Sequence, residues 1–298
     1  MPRNFIAELG LSKGLVEKAR QICSGRLKDC RIAVAGDLML DCYISGKVKR
    51  ISPEAPVPVV RMTDEKFVLG GAGNALANLS GLGVQIIPAG RLGSDADGEK
   101  FLANPVMCAA NTAHIIKKDV TSIKTRILGG HQQMLRLDRE HYIETTEKEA
   151  KEIAASLMNE KPGCVIISDY GKGFCSEALC RELAAQCAKN TTPLLVDPKK
   201  ADWSCYSGAY LITPNVKELG EASGREIKNE DSEIVNAARE LLQKYGIENV
   251  LVTRSEKGAS LVSKTEVKHI QASAVEVYDV SGAGDTTIST IAAFLAAG

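Results

Sequence analysis

The sequence predicts an α/β protein: a mostly parallel central sheet flanked by helices, with a small β-strand lid. Three observations predict it. Short apolar runs alternate with helix-periodic stretches along most of the chain. Polar and glycine residues collect just after nearly every predicted strand, where open parallel sheets bind their ligands. Residues 43–71 break the alternation and read as strand without helical period.

The elements follow in order. The opening stretch, MPRNFIAELGLSKGLVEKARQIC, reads as one or two short helices; it has neither the apolar core nor the small-residue cleavage site of a secretory signal. RIAVAGDLML begins as a buried strand. Pro56 and Pro58 restrict APVPVV to an edge or exposed strand. GAGNALANLSGLG reads as a helix stopped by glycine, and VQIIPAGRLG as the next strand. In FLANPVMCAANTAHIIK, residues 101–117, Pro105 would break a helix. Residues 123–138 look like a hairpin and, with 43–71, form the expected lid. Thr146 and Glu149 make a capping box, and Ala150, Ile153, Ala154 and Leu157 give the following helix one apolar face. CVIISD, PLLVD, AYLITPN, NVLVTR and ASLVS are strands; SEALCRELAAQCAKN, the stretch from about Val216, and DSEIVNAARELLQKYG are helices. The last helix carries Ile288, Ile291, Ala292 and Leu295 at i, i+3, i+4 and i+7. One continuous domain, 1–298, with an inserted lid is expected.

The chain has 298 residues, 44% hydrophobic and 25% charged, ordinary for a globular protein with a full core. Lys plus Arg equals Asp plus Glu at 37 each, so nothing in the net charge speaks for nucleic acid or an anionic membrane. No apolar run approaches the ~20 residues of a membrane span. Nine cysteines without a CxxC spacing argue against a disulfide framework or zinc site and for thiols in a reducing cytoplasm.

After the first strand come Gly36, Asp37 and Asp41; after CVIIS come Asp169, Gly171, Lys172 and Gly173; after PLLV come Asp197 and Lys199. Asn215 and Glu218 follow YLIT, Thr253 and Arg254 follow NVLV, and Gly70, Gly71 and Asn74 follow the lid strand. Singly, each also fits a blander role as cap, turn or solvated charge. Together, at one rim of a sheet, they make a site. There is no G-x-x-x-x-G-K-[ST] loop, no protein-kinase signature set and no G-x-S-x-G elbow. What remains is Gly282, Ala283 and Gly284 opening a helix, with Asp285 in its first turn. Backbone N–H groups there can stabilise a transferring phosphoryl charge, and Asp285 can accept a hydroxyl proton. Asp37, Asp41 and Asn74 suit sugar hydroxyls, and neighbouring cations suit a phosphate on the substrate.

These residues resemble a known family. DVSGAGDT is similar to the second signature of the ribokinase-like (PfkB) carbohydrate kinases, GGAGNALANLSGLG to their glycine-rich first signature, and TPNVKE to their N-x-x-E motif. GDLMLDCYISGKVKRISPEAPVPVV, HQQMLRLD, SDYGKG, VDPK and LVTRSEKG resemble the heptose-phosphate branch of that family, RISPEAPVPVV most specifically, from about residue 30 to the end. The resemblance implies an ATP- and Mg2+-dependent kinase that phosphorylates the C1 hydroxyl of a heptose 7-phosphate. Another sugar or sugar phosphate, or a non-catalytic sugar-binding role, stands as the alternative. It implies Asp285 as base, the Gly282–Gly284 turn as anion hole, and Asp37, Asp41, Gly70, Gly71 and Asn74 on the sugar. Arg136, Lys172 and Lys199 would hold phosphates. Asn215 and Glu218 would lie on the ATP–magnesium side, Glu218 acting on the metal through the phosphates, with Thr253, Arg254 and Gly258 near the nucleotide. The family pattern continues past this chain's last helix, so the C-terminal end of the fold is expected to be truncated. Exposed lid strands tend to pair across subunits, so a homodimer is expected.

Overall fold

A computed structural model describes residues 12–130, 132–272 and 282–298. Its first helix is α1 (Lys13–Gly25), capped by Ser12, whose hydroxyl accepts from the Leu15 N–H. Then come β1 (Arg31–Gly36), β2 (Leu38–Ile51), β3 (Pro58–Gly71), α2 (Ala72–Gly81) and β4 (Gln85–Leu92). α3 (Ala96–Leu102), the single turn α4 (Pro105–Cys108), β5 (His114–Lys117), β6 (Ser122–Gly129) and β7 (Gln132–Arg139) follow. The chain continues through α5 (Glu147–Asn159), β8 (Cys164–Ser168), α6 (Glu177–Asn190), β9 (Leu194–Asp197), β10 (Leu211–Ile212), α7 (Val216–Ser223) and α8 (Asp231–Tyr245). β11 (Asn249–Thr253), β12 (Ala259–Ser263), β13 (Val267–Ile270) and α9 (Ala283–Ala297) complete it.

The central sheet has nine strands in the order β13-β12-β11-β10-β9-β8-β1-β4-β5. It is parallel from β11 to β5, and β12 and β13 add an antiparallel edge. Period-two alternation of continuously apolar strands feeds two cores. Ile32 and Val34 of β1 point with Ile166 and Leu195 toward α1, α2 and α9, while Ala33 and Ala35 point with Val165, Ile167 and Val196 toward α5, α6 and α8. Small residues on α2 and α9, among them Ala75, Ala292 and Ala293, let these helices lie close together. The capping box at Thr146–Glu149 forms as the sequence predicts. Pro105 does end helical structure: α3 stops at Leu102, and Pro105 takes the first position of α4, where its missing N–H costs nothing.

The chain leaves β1 for β4 and β5 on one side and for β8 to β11 on the other. The carboxyl ends of β1 and β8 therefore flank the switch point, the expected position of a ligand crevice. Over it stands a four-stranded sheet of order β3-β2-β6-β7. Its strands begin at Leu38, five residues before the segment read from the sequence, because β2 starts one residue after β1 ends. Pro58 is the first residue of β3, an edge strand, where its absent N–H breaks no ladder. The two roots of the lid are tied together: the Ala72 N–H donates to the Asp37 carbonyl at 3.1 Å.

Candidate active site

Asp285 lies in the first turn of α9, 4% exposed. The helix opens at Gly282 in the left-handed region, φ +78°, and among the described residues no side chain caps it. The N–H groups of the first turn thus point outward without a side-chain acceptor, at the positive end of a fifteen-residue helix. Gly282 is required twice: by its φ, and because a Cβ there would stand 2.5 Å from Asn74 Nδ2. Asn74, on α2, donates from Nδ2 to Asp285 Oδ2 at 2.8 Å. The stretch 273–281, with the beginning of DVSGAGDT, lies outside the described residues.

Burial pushes the Asp285 carboxyl above its ordinary range; hydrogen bonds from Asn74 and Tyr170 draw it back, and the charge of Asp41 raises it. Asp41 reaches this site from β2. Gly70 on β3, diagonal to Asp41 across the strand pair, makes room, since a Cβ there would come within 2.6 Å of Asp41 Oδ2. Gly71, at φ +55°, sits against the Asp37 carbonyl with the same need for a missing side chain. Asp41, Gly70, Gly71, Asn74, Gly282 and Asp285 are therefore one cluster.

The lid face bearing Asp41 also carries cations. The register aligns Tyr43 with Lys66 and Arg126, and Arg126 with Arg136. Arg126 pairs with Asp41. Arg136 pairs with Asp138 at 2.9 Å, and the Lys172 ammonium with Glu140 at 2.6 Å, which holds the Glu140 carboxyl below its usual range. Lys199 stands elsewhere, 3.9 Å from Glu218 on the opposite side of the crevice.

Asp37, expected from the sequence on the sugar, is held by the protein's own backbone. Its carboxylate is 3% exposed and accepts three backbone N–H groups, from Tyr170 at 2.8 Å, Lys172 at 3.0 Å and Phe174 at 3.1 Å. It clamps the loop after β8. Beneath it Asp169 accepts from the Tyr206 hydroxyl at 2.7 Å and pairs with Lys200. Asp37, Asp169 and Cys175 offer metal-type donors within 4.8 Å of one another, but these bonds already engage both carboxylates.

On the nucleotide side Asn215 and Glu218 form a capping box at the start of α7, with Glu218 N–H to Asn215 Oδ1 at 2.9 Å and Asn215 N–H to Glu218 Oε2 at 3.0 Å. Asn215 also bridges to Thr253. Asp197, at the end of β9, faces this helix and the anion hole. Enclosure, with Asp285 and Glu218 nearby, pushes its carboxyl up to about 8. Glu218 would hold a magnesium ion through the phosphates, where the metal would neutralise transferring charge. Arg254, expected near the nucleotide, is buried and spends its guanidinium on Asn229, Asp231 and Ser260, bracing the turn between β11 and β12. Gly258, φ +82°, belongs to the same turn, packed against the Ile270 carbonyl.

Sequence reasoning passed over Tyr170 and Arg126. Tyr170 lies in SDYGKG, whose Asp169, Gly171 and Lys172 were taken up; a tyrosine in a strand-exit loop carries no charge signal. Its hydroxyl reaches Asp285 from 115 positions away. Asp197 was visible as a strand exit, but not its company.

An open parallel sheet, a lid rooted at its switch point, and a carboxylate in the first turn of an uncapped helix define a ribokinase-like phosphotransferase. The profile of the pfkB family carbohydrate kinases matches residues 30–298. The chain belongs to this family and is a carbohydrate kinase. Among curated relatives, the "Bifunctional protein HldE" of Mesorhizobium japonicum is 44% identical over 271 residues, 90% of this chain and 54% of that protein. The protein of the same name from Methylobacillus flagellatus is 44% identical over 272 residues, 90% of this chain and 56% of that one. The chain spans about half the length of these relatives. In fold it is similar to Escherichia coli phosphofructokinase-2 in its tetrameric inhibited form (TM-score 0.72, 20% identity, 90% of this chain and 87% of the other). It is also similar to Arabidopsis thaliana ribokinase complexed with ribose and ATP (TM-score 0.69, 19% identity, 90% and 86%).

Proposed function

We propose that the chain transfers the γ-phosphoryl group of ATP to the C1 hydroxyl of D-glycero-β-D-manno-heptose 7-phosphate, giving the 1,7-bisphosphate. The observation that carries it is one lid face presenting both a carboxylate, Asp41, and a row of cations, Lys66, Arg126 and Arg136, over Asp285. Carboxylate and amide groups recognise hydroxyls, and a guanidinium recognises a phosphate. A plain sugar offers the guanidinium groups nothing, whereas a phosphate would replace the carboxylates of Asp41 and Asp138 with which Arg126 and Arg136 pair. The RISPEAPVPVV string at the tip of this lid, and the relatives named above, support the heptose within the sugar phosphates.

Asp41 and Asn74 would orient the sugar ring so that its acceptor hydroxyl meets Asp285. Asp285 takes that proton as the new O–P bond forms and ADP leaves. The N–H groups of Ala283 and Gly284 stabilise the charge on the transferring group. Glu218 would hold a magnesium ion through the phosphates, and that ion would neutralise part of their charge. A homodimer belongs to this reading: the lid face opposite Asp41 carries Leu135 and Leu137, 50% and 53% exposed, alongside Ile44 and Ile127, and an apolar sheet face of this kind fits a second copy.

ADP release with heptose 7-phosphate, beside fructose 6-phosphate and ribose, tests the substrate. Selective turnover of the heptose supports the proposal; preference for another sugar phosphate replaces the heptose and leaves the kinase in place.

A further inference from the structure

The Tyr170 hydroxyl donates to Asp285 Oδ1 at 3.0 Å and lies 3.2 Å from Oδ2. The Tyr170 N–H is itself fixed on Asp37, as are those of Lys172 and Phe174 in the same loop. A buried carboxylate at the end of β1 thus aims a phenol from the end of β8 at a carboxylate on α9. Among the described residues no cation pairs with Asp285. Asn74 and Tyr170 are its polar donors, while Asp41 from β2 faces it with like charge and Asp197 from β9, its carboxyl pushed up to about 8, stands nearby in protonated form. Of the cations on that lid face, Arg126 is taken by Asp41, and Lys124, beside Asp41 in the register, by Asp138 and Glu140. Burial and the charge of Asp285 push the Tyr170 hydroxyl well above the ordinary phenol range, so it keeps its proton.

We propose that Tyr170 is a positioning residue for phosphoryl transfer: its hydroxyl orients the Asp285 carboxylate and holds it as the anion that the acceptor hydroxyl must meet. This rests on Asp285 being the base. Tyr170 neither gains nor loses a proton during transfer. The acceptor's proton passes to Asp285, the acceptor oxygen bonds to phosphorus, and the bond from phosphorus to the β-phosphate oxygen breaks.

The test has one arm that needs no sugar. In ligand-free protein labelled with 13C at aspartate Cγ, the resonance missing from Asp285→Asn reports the titration of Asp285. Tyr170→Phe keeps the ring and removes both contacts, and the titration should move up by about one unit, a tenfold change in proton affinity. Incorporating 3-fluorotyrosine at position 170, a stronger donor, should move it down, and this arm stands even if Tyr170→Phe fails to fold. In turnover, Tyr170→Phe should shift the acid limb of the pH profile upward and lower kcat with KM little changed. An unmoved Asp285 titration in both variants, or an effect on KM alone, overturns the proposal. Absence of turnover by the unaltered chain on any sugar overturns the functional reading instead and leaves the titration arm standing.

Discussion

Asp285 and Asp197 are two buried carboxylates, close enough for the charge of one to raise the pKa of the other, with different surroundings. Among the described residues Asp285 has two neutral donors, and Asp197 has a long contact, 3.5 Å, from the Thr213 hydroxyl. Asp285→Asn keeps the shape and removes the proton acceptor. Its kcat should fall by about 10²- to 10⁴-fold with KM for the sugar nearly unchanged, as steady-state ADP release would show. Asp197 makes a prediction about stability. Its folded pKa, about 8, lies above the ordinary value of 3.8, so between these values the unfolded chain ionises while the folded chain stays protonated. Its contribution to stability is intact below about 3.8 and is lost as pH rises toward 8. Asp197→Asn should therefore melt above the unaltered protein by a margin that widens from pH 5 to pH 8, measured by thermal unfolding without ligands. A constant margin contradicts the assignment. At this scale the sequence was legible in part. Asp285, Asn74 and Asp41 could be found because each stands at a turn or strand exit. Asp37 stands at one too, but its partners come from a loop more than 130 positions away, and nothing local distinguishes a clamp from a ligand.

Among the elements, the start of α9 carries the chemistry, and it does so by being left uncapped. Gly282→Ala would force a Cβ into the left-handed region and against Asn74 Nδ2. The strain is about 1–2 kcal/mol. A lowered Tm together with a loss of kcat is expected; a loss of stability alone would show that the turn is only structural. The start of α7 is the contrast. Asn215 and Glu218 close on each other, so the helix satisfies its own first turn. Helices and their caps were readable because their determinants lie within four residues of one another, as at Thr146–Glu149. Strand partners were not readable: the lid strand β2 pairs in parallel with β6, some 80 positions on, and only the tertiary fold sets that register.

For the whole molecule, the lid has two unlike faces. The side bearing Asp41, Lys66, Arg126 and Arg136 is polar, and the other bears Ile44, Ile127, Leu135 and Leu137. Leu135→Glu with Leu137→Glu changes only exposed side chains, so the monomer fold should survive. Light scattering at micromolar concentration should show a dimer for the unaltered chain and a monomer for the double variant. A monomer in both cases removes the dimer from the proposal.

The first of the joints between sheet and lid is a single residue. Asp37 separates β1, fixed in the centre of the main sheet, from β2, whose fourteen residues extend roughly 46 Å at ~3.3 Å each. A strand of that length rooted at one residue is a lever, and a pivot rotation of ~5° carries its tip about 4 Å. The fulcrum is the same aspartate that grips the loop of Tyr170. Whatever torque the lid delivers on closing over a sugar is borne at the residue that sets the aim of the phenol on Asp285, so mechanical seating of the substrate and alignment of the base are one motion.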